Sequence, residues 1–321
     1  MTATIEYKID FGMVDISIVI PTYNRADSLK RLLDSLKTAG GHNELIVVDD
    51  ESDDHTKEVI DTSSATYVRG AGGGPTVARR IGAQHATGPV IGFLEDDHIV
   101  TNDYLDAIHE AFDRGERIVQ VRVIQRDQGE KRHDVNPDPH ISYNWNFRND
   151  TKWNYGKVGK YIPFSLESGR FIHQSVLEEV PLNDPNLKAD GYGESLSFAF
   201  RAQQQGYSIY FEPDSVIDHV GTGGGGSEGR FNKTKGAVTC NEFDYHKYHN
   251  LMYIHTRFFL HLAIPALLYH VIVTAGGQTV AGQYESSCLR FIPGGLIRGL
   301  LTGLQFHARN VFDLESTENG L

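Results

Sequence analysis

The sequence predicts an α/β fold built on a doubly wound, mainly parallel sheet with flanking helices. Two observations carry this expectation. Short apolar runs alternate with helix-length segments through the first 124 residues. Acidic clusters also stand where two of those runs end, and in such sheets ligands bind beyond the carboxyl ends of the strands.

The elements follow in order. Ile16-Ser17-Ile18-Val19-Ile20 reads as a buried strand that stops at Pro21. Leu29, Leu32, Leu33 and Leu36 recur at helical spacing, and Gly40-Gly41 ends that helix. Leu45 to Val48 is a second strand running into Asp49-Asp50, and Thr66-Tyr67-Val68 a third. A helix over Thr76 to His85 precedes a fourth strand, Val90 to Leu94, which ends in Glu95-Asp96-Asp97. Tyr104 to Phe112 reads as helix and Ile118 to Ile124 as a further strand. Periodicity fades over Gln125 to Tyr161, where Pro137, Pro139, Tyr143, Trp145, Phe147, Trp153 and Tyr155 lie. A second ordered stretch covers Pro163 to His219, and glycines crowd from Gly221 to Gly226. The tail holds two apolar stretches, Phe258 to Ala275 and Phe291 to Phe306. A spanning helix needs about 20 predominantly apolar residues, and His261, Pro265 and His270 interrupt the first stretch.

Composition narrows the function. The chain has 321 residues, 40% of them hydrophobic, enough for one large α/β domain with an appendage. Its 30 basic and 42 acidic residues give a formal charge of −12, which argues against a nucleic-acid binder, since phosphates need a basic face. Cys240 and Cys288 form no CxxC pair, so a disulfide framework or thiolate zinc site is not expected. Met1 to Asp15 holds no apolar run of signal-peptide length, which makes the cytoplasmic side the default.

The strand ends carry the chemistry. Alternating side chains place Glu95 and Asp97 toward one side, where a pair of carboxylates suits a Mg2+ or Mn2+ ion beside a diphosphate. The plain alternative is a solvated acidic loop. A carboxylate of Asp49 or Asp50 can accept the N–H of a uracil or guanine base, and Tyr23 can pack on its ring. The plain alternatives there are turns, with Asn24 or Asp27 capping the helix that follows. Glu194 and Arg201 lie seven residues apart and share a helix face, which alone would mean a surface ion pair.

Taken together, these motifs resemble family 2 glycosyltransferases of the GT-A fold. Ile18 to Arg25 and Ile46 to Asp54 are similar to that family's opening. Gly74, Ala78, Arg79 and Gly82 resemble its Gly-x-x-x-Ala-Arg-Asn-x-Gly helix, with Arg80 in place of Asn. Phe93 to Asp97 resembles its metal-binding strand end, with Glu95 where Asp is usual. Gly191 to Ser195, with Arg201 and Gly206, resembles its acceptor-side motif, with Ser195 at the second acid. Tyr210 to His219 resembles the strand that closes its catalytic core.

The resemblance implies a nucleotide-sugar donor, UDP- or GDP-linked, bound by Pro21, Tyr23, Arg25, Asp49, Asp50, Arg79, Glu95 and Asp96. It implies a metal on Asp97 and His219, Mn2+ suiting a histidine better than Mg2+, and Glu194 as catalytic base with Asp190 in reserve. The implied reaction is an inverting displacement onto a lipid-linked or glycan acceptor, with Gly221 to Gly226 as a flap. Aromatics Tyr143, Trp145, Trp153 and Tyr155 are candidates for stacking on a sugar or, more simply, for packing under a loop. The expected divisions are an N-terminal extension (1–15), a donor half (16–124), an acceptor half (125–220), a flap and linker (221–250) and an apolar helical tail (251–321). Such a tail would attach the enzyme to the cytoplasmic face of the cell membrane, a soluble cytoplasmic protein being the alternative. Competing classes are a degenerate nucleotide-sugar-binding scaffold, favoured by Ser195 and Glu95, and a sugar-phosphate nucleotidyltransferase. The latter lacks its Gly-rich loop with Arg and Lys after the first strand.

Overall fold

The computed structural model describes residues 14–127, 130–131, 141–143, 149–151, 158–164, 168–188, 192–221, 242–277 and 288–318. The donor half follows the expected alternation: β1 (Ile16–Thr22), α1 (Ala26–Ala39), β2 (Glu44–Asp49), α2 (Thr56–Asp61), β3 (Thr66–Arg69), α3 (Pro75–His85) and β4 (Val90–Phe93). After it come β5 (His98–Val100), α4 (Asp106–Asp113), β6 (Ile118–Asp127), β7 (Glu130–Lys131), β8 (Ile141–Tyr143), β9 (Asn149–Thr151) and β10 (Lys160–Ile162). The rest is β11 (Arg170–His173), α5 (Gln174–Glu179), α6 (Glu194–Gln204), β12 (Ile209–His219), α7 (Glu242–Phe258), α8 (Ala263–Tyr269) and α9 (Cys288–Glu318). A 3-10 turn, Leu260–Leu262, leads into α8, and a π-helical stretch, His270–Gly277, continues it.

The central strands are apolar on both faces because helices cover both. Alternate residues divide cleanly. Ile16, Ile18 and Ile20 of β1 join one cluster with Leu29, Leu32, Leu33 and Leu36 of α1, while Val19 joins the other with Ala78 of α3 and Phe198 of α6. Burying the four leucines of α1 contributes about 6–12 kcal/mol by area, as an upper bound. On the opposite face α3 lies so close to β1 that a Cβ on Gly82 would stand 2.3 Å from Val19 Cγ1.

The sheet is mixed rather than mainly parallel. Its order is β10-β12-β6-β11-β4-β1-β2-β3, with β5 pairing β12 and β7 pairing β6. The pairs β1–β2, β1–β4, β2–β3 and β6–β12 are parallel, but β11 enters antiparallel between β4 and β6. Apolar periodicity shows that a strand is buried on both faces; it does not show which way the strand runs. Two antiparallel steps through β11 leave β6 and β12 pointing as β4 does, so the ends of β1, β2, β4 and β12 share one edge.

The C-terminal helices are not set apart from this core. Helix α7 crosses the boundary expected at 250/251, and its Tyr253 and Ile254 belong to the same apolar cluster as Phe198 and Phe211. Its other side packs with α8 and α9 through Leu251, Met252, Ala266, Ile292 and Leu296. Among the described residues, no helix is long and apolar enough to cross a membrane.

Candidate active site

The shared strand edge collects most of the polar residues singled out in the sequence. The turn after β1 and the turn after β2 are stitched together: the Asn24 amide donates to Ser52 Oγ (2.9 Å), the Asp53 amide to Asn24 Oδ1 (2.8 Å), and the Ala26 amide to Asp54 Oδ2 (3.1 Å). Helix α1 is therefore capped from the neighbouring loop by Asp54, and not by Asn24 or Asp27. Asn24 and Glu51 both adopt left-handed backbone, φ 52° and 73°, which non-glycine residues seldom do outside tight functional turns. Tyr23 stands out from this pair of turns, 55% exposed, while Pro21 remains buried in β1.

Asp49 accepts from the Ser52 amide (2.9 Å) and Tyr67 OH (3.3 Å). Asp50 takes the Gly74 amide on Oδ2 (2.7 Å), tying the start of α3 to β2, and its buried Oδ1 has no hydrogen-bond partner among the described residues.

The turn after β4 is denser. Asp96 accepts from Thr22 Oγ1 (2.8 Å) on one oxygen and Arg25 Nη1 (3.0 Å) on the other, so both oxygens are engaged within the protein. The same Arg25 nitrogen reaches Asp97 Oδ2 at 3.0 Å. Burial pushes Asp96 up to about 6, against the pull of Arg25 and Thr22. Asp97 goes the other way. Burial would raise it, but the close His219 ring and the charges of His219, His98 and Arg25 hold it at about 2. Glu95 meets Arg79 Nη2 at 3.3 Å, which places the buried arginine of α3 against the acidic turn.

Strand pairing supplies the imidazoles. The antiparallel register of β5 on β12 sets His98 opposite His219, with the rings edge to face at 5.3 Å. A register shift in β12 between Glu212 and Val216 precedes this pairing. His219 Nε2 lies 3.1 Å from Asp97 Oδ1 and 3.7 Å from Glu95 Oε2. Burial lowers His98 to about 3, whereas His219 is raised, the Asp97 and Glu95 carboxylates outweighing its burial.

These residues fit a divalent cation. Ligand atoms of Glu95, Asp97, His98 and His219 all lie within 4.8 Å of one another. His98 Nε2 is buried there with no hydrogen-bond partner among the described residues, a cost that an ion would remove, while Asp97 Oδ1 meets the His219 ring at 3.1 Å. Two carboxylates with two imidazoles suit Mn2+ better than Mg2+, whose preference is for oxygen. His98 was missed in the sequence, although it directly follows the acidic triplet; the signal that identifies it is the strand register, which no local pattern carries.

Glu194 begins α6 and is buried, behind Gly193 in the left-handed region (φ +88°). Arg201 does not form the surface ion pair expected with it. The guanidinium instead donates to the carbonyls of Pro181 (2.7 Å) and Leu182 (3.1 Å). Asp190, residues 222–226 of the expected flap, Trp145, Trp153 and Tyr155 lie outside the described residues, as does the side chain of Tyr143.

Comparison with known proteins agrees with this architecture. A sequence model described as "Glycosyl transferase family 2" matches residues 17–180, just over half of the chain. An uncharacterized glycosyltransferase of Haemophilus influenzae is 35% identical over 98 residues, which is 28% of this chain and 39% of that protein. Among solved structures, GalNAc-T7 with UDP, GalNAc and Mn2+ superposes with a TM-score of 0.64 at 17% identity, covering 87% of this chain and 56% of that one. S. aureus TarS 1-349 in complex with UDP-GlcNAc gives 0.60 at 15% identity, covering 89% and 81%. At such identities the structural likeness speaks to the fold.

Proposed function

Since the chain belongs to glycosyl transferase family 2, we propose that it moves a sugar from a UDP- or GDP-linked donor to a hydroxyl of a lipid-linked or other glycan acceptor. The observation that carries this reading is the convergence of Glu95, Asp97, His98 and His219, with the buried His98 Nε2 lacking a hydrogen-bond partner among the described residues, beside the joined loops that present Tyr23 and Asp50.

Tyr23 offers a ring face to the base, and Asp50 Oδ1, without a hydrogen-bond partner among the described residues, an acceptor for its N–H. Arg25, itself paired with Asp96, holds the Asp97 carboxylate in place by ion pairing. Arg79 holds Glu95 in the same way. Glu95, Asp97, His98 and His219 would hold Mn2+, which when bound supplies positive charge to the departing diphosphate. The acceptor oxygen forms its bond to the anomeric carbon as the bond to the diphosphate breaks, and Glu194 takes the hydroxyl proton. Such a single displacement inverts the anomeric centre and needs no covalent intermediate. Positioning and electrostatics do most of the work.

A panel of UDP- and GDP-hexoses, assayed for nucleoside diphosphate release with and without Mn2+, tests the reading. Release that depends on Mn2+ and disappears in Asp97→Asn is expected. Release that persists in EDTA or in that variant would remove the metal from the mechanism.

The acceptor reading draws on the tail. Leu260, Ile264, Leu268 and Ile272 are exposed at four-residue intervals, and Ile297, Leu301 and Leu304 form a second exposed apolar row on α9. Helices lying in the headgroup region bury such rows, which would bring the site to a lipid-linked substrate. Flotation with vesicles containing anionic lipid, compared with Ile264→Asp/Leu301→Asp, separates a membrane surface from a protein partner.

A further inference from the structure

Helix α7 lies wholly beyond the stretch matched by the family, 17–180, and so does Glu194. Three of its side chains, at positions i, i+3 and i+7, nevertheless hold the segment leading into Glu194. Asn250 is fully buried and makes three bonds to that segment. Its Oδ1 accepts from the Lys188 amide (2.7 Å), while Nδ2 donates to the carbonyls of Lys188 (3.0 Å) and Tyr192 (3.1 Å). Tyr192 is two residues before Glu194. Arg257 pairs with Asp184 at 2.8 Å, and Tyr253 OH lies 3.2 Å from the same carboxylate, which also accepts from Ser197 Oγ of α6 (2.8 Å). Asn186 Nδ2 completes the group by donating to Tyr253 OH (3.1 Å). Between these polar ties, a Cβ on Gly193 would lie 3.0 Å from Ile254 Cδ1, so α7 also abuts the left-handed residue that turns the chain into α6.

We propose that Asn250 is a positioning residue for the catalytic base: by gripping Lys188 and Tyr192 it fixes where α6 begins, and hence where Glu194 meets the acceptor hydroxyl. This rests on the assignment of Glu194 as base. The physical argument is one of spacing. A carboxamide bonded to the backbone of both Lys188 and Tyr192 fixes where those two residues stand relative to α7, and a reacting group displaced by about 1 Å can lose on the order of 100-fold in rate. None of the ties described for Asn250 involves the donor loops or the acidic turn, so donor affinity should not depend on it.

The test is a cycle of Asn250→Ala, Glu194→Gln and the double variant, read as kcat and donor KM on whichever of UDP-glucose, UDP-N-acetylglucosamine and GDP-mannose the protein hydrolyses with Mn2+. Met252→Ala is the structural control, being equally buried on α7 but facing α9, where a Cβ on Gly299 would meet its Cβ at 2.9 Å. Asn250→Ala should lower kcat by about 10- to 100-fold with KM unchanged, and should slow Glu194→Gln no further. Met252→Ala should lose thermal stability with kcat within about two-fold. A wild-type kcat in Glu194→Gln removes the base assignment and this inference with it. A wild-type kcat in Asn250→Ala beside a slow Glu194→Gln removes the positioning role alone. Losses that multiply in the double variant do the same. Where no donor is turned over, hydrogen exchange decides: Asn250→Ala should speed exchange across residues 192–198 while Met252→Ala does not, and unchanged exchange there overturns the proposal. Should Asn250→Ala fail to fold, Asn250→Asp keeps the side-chain volume and the acceptor for the Lys188 amide and carries the same readouts.

Discussion

Replacing Arg25 by Met should destabilise the metal-free protein by about 3 kcal/mol. The guanidinium sits 3.0 Å from Asp96 Oδ1 and 3.0 Å from Asp97 Oδ2, with side-chain exposures of 16%, 7% and 6% for the three residues. Removing one partner from a buried ionic group costs about 3–5 kcal/mol, because the remaining charge is left in a poorly solvated place. Arg25 is the most exposed of the three, which argues for the lower end of that range. Met retains the aliphatic stem and its packing, so the loss reports charge. In a chain of this size each kcal/mol moves the melting temperature by roughly 2 °C, so a fall of about 6 °C is expected. Calorimetry and urea titration in EDTA measure it. Arg25→Lys should fall between the two, since a single ammonium lacks the planar fork that reaches both carboxylates. A loss below about 1 kcal/mol for Arg25→Met would refute the reasoning and mean that water already screens Asp96 and Asp97.

Two further outcomes follow from packing and titration. Gly82→Val should cost about 1–3 kcal/mol or more, because its Cβ would stand 2.3 Å from Val19 Cγ1 and 3.1 Å from Val48 Cγ2; urea unfolding checks this. His255, fully buried on α7, is lowered to about 4, chiefly by burial. The unfolded chain therefore takes up its proton first, near pH 6.5, and stability should be complete above that pH and decline as pH falls toward 4. Urea midpoints at pH 7.5 and 5 should differ less in His255→Leu than in the wild type.

Much of the donor half was legible because its signals are local. An apolar run such as Ile16 to Ile20 names a strand, the leucines of α1 name a helix face, and an acidic pair after a run names a strand end. Direction was not legible. Nothing within Arg170-Phe171-Ile172-His173 announces that β11 runs antiparallel between two strands separated from it by dozens of residues. The site divides in the same way. Asp97 and Glu95 stand in one triplet, whereas His98 is recruited by a register with β12 more than a hundred residues away. Asn250 and Asp184 were invisible for a related reason: a buried amide or carboxylate looks like any surface polar residue until its partners are known.

The stitching of Asn24, Ser52, Asp53 and Asp54 across the β1–α1 and β2–α2 turns has a thermodynamic consequence. Two loops that were free to move separately would each have to surrender conformational entropy when something settled between them, at about 0.5–1.5 kcal/mol for every rotamer-rich side chain immobilised. Cross-bonded as they are, they give up that freedom when the chain folds, together and once. The mouth they form is preorganised, and an incoming molecule encounters it in a single arrangement. Weakening one stitch, for instance with Asn24→Ala, should therefore affect affinity through entropy before any contact to a ligand is lost.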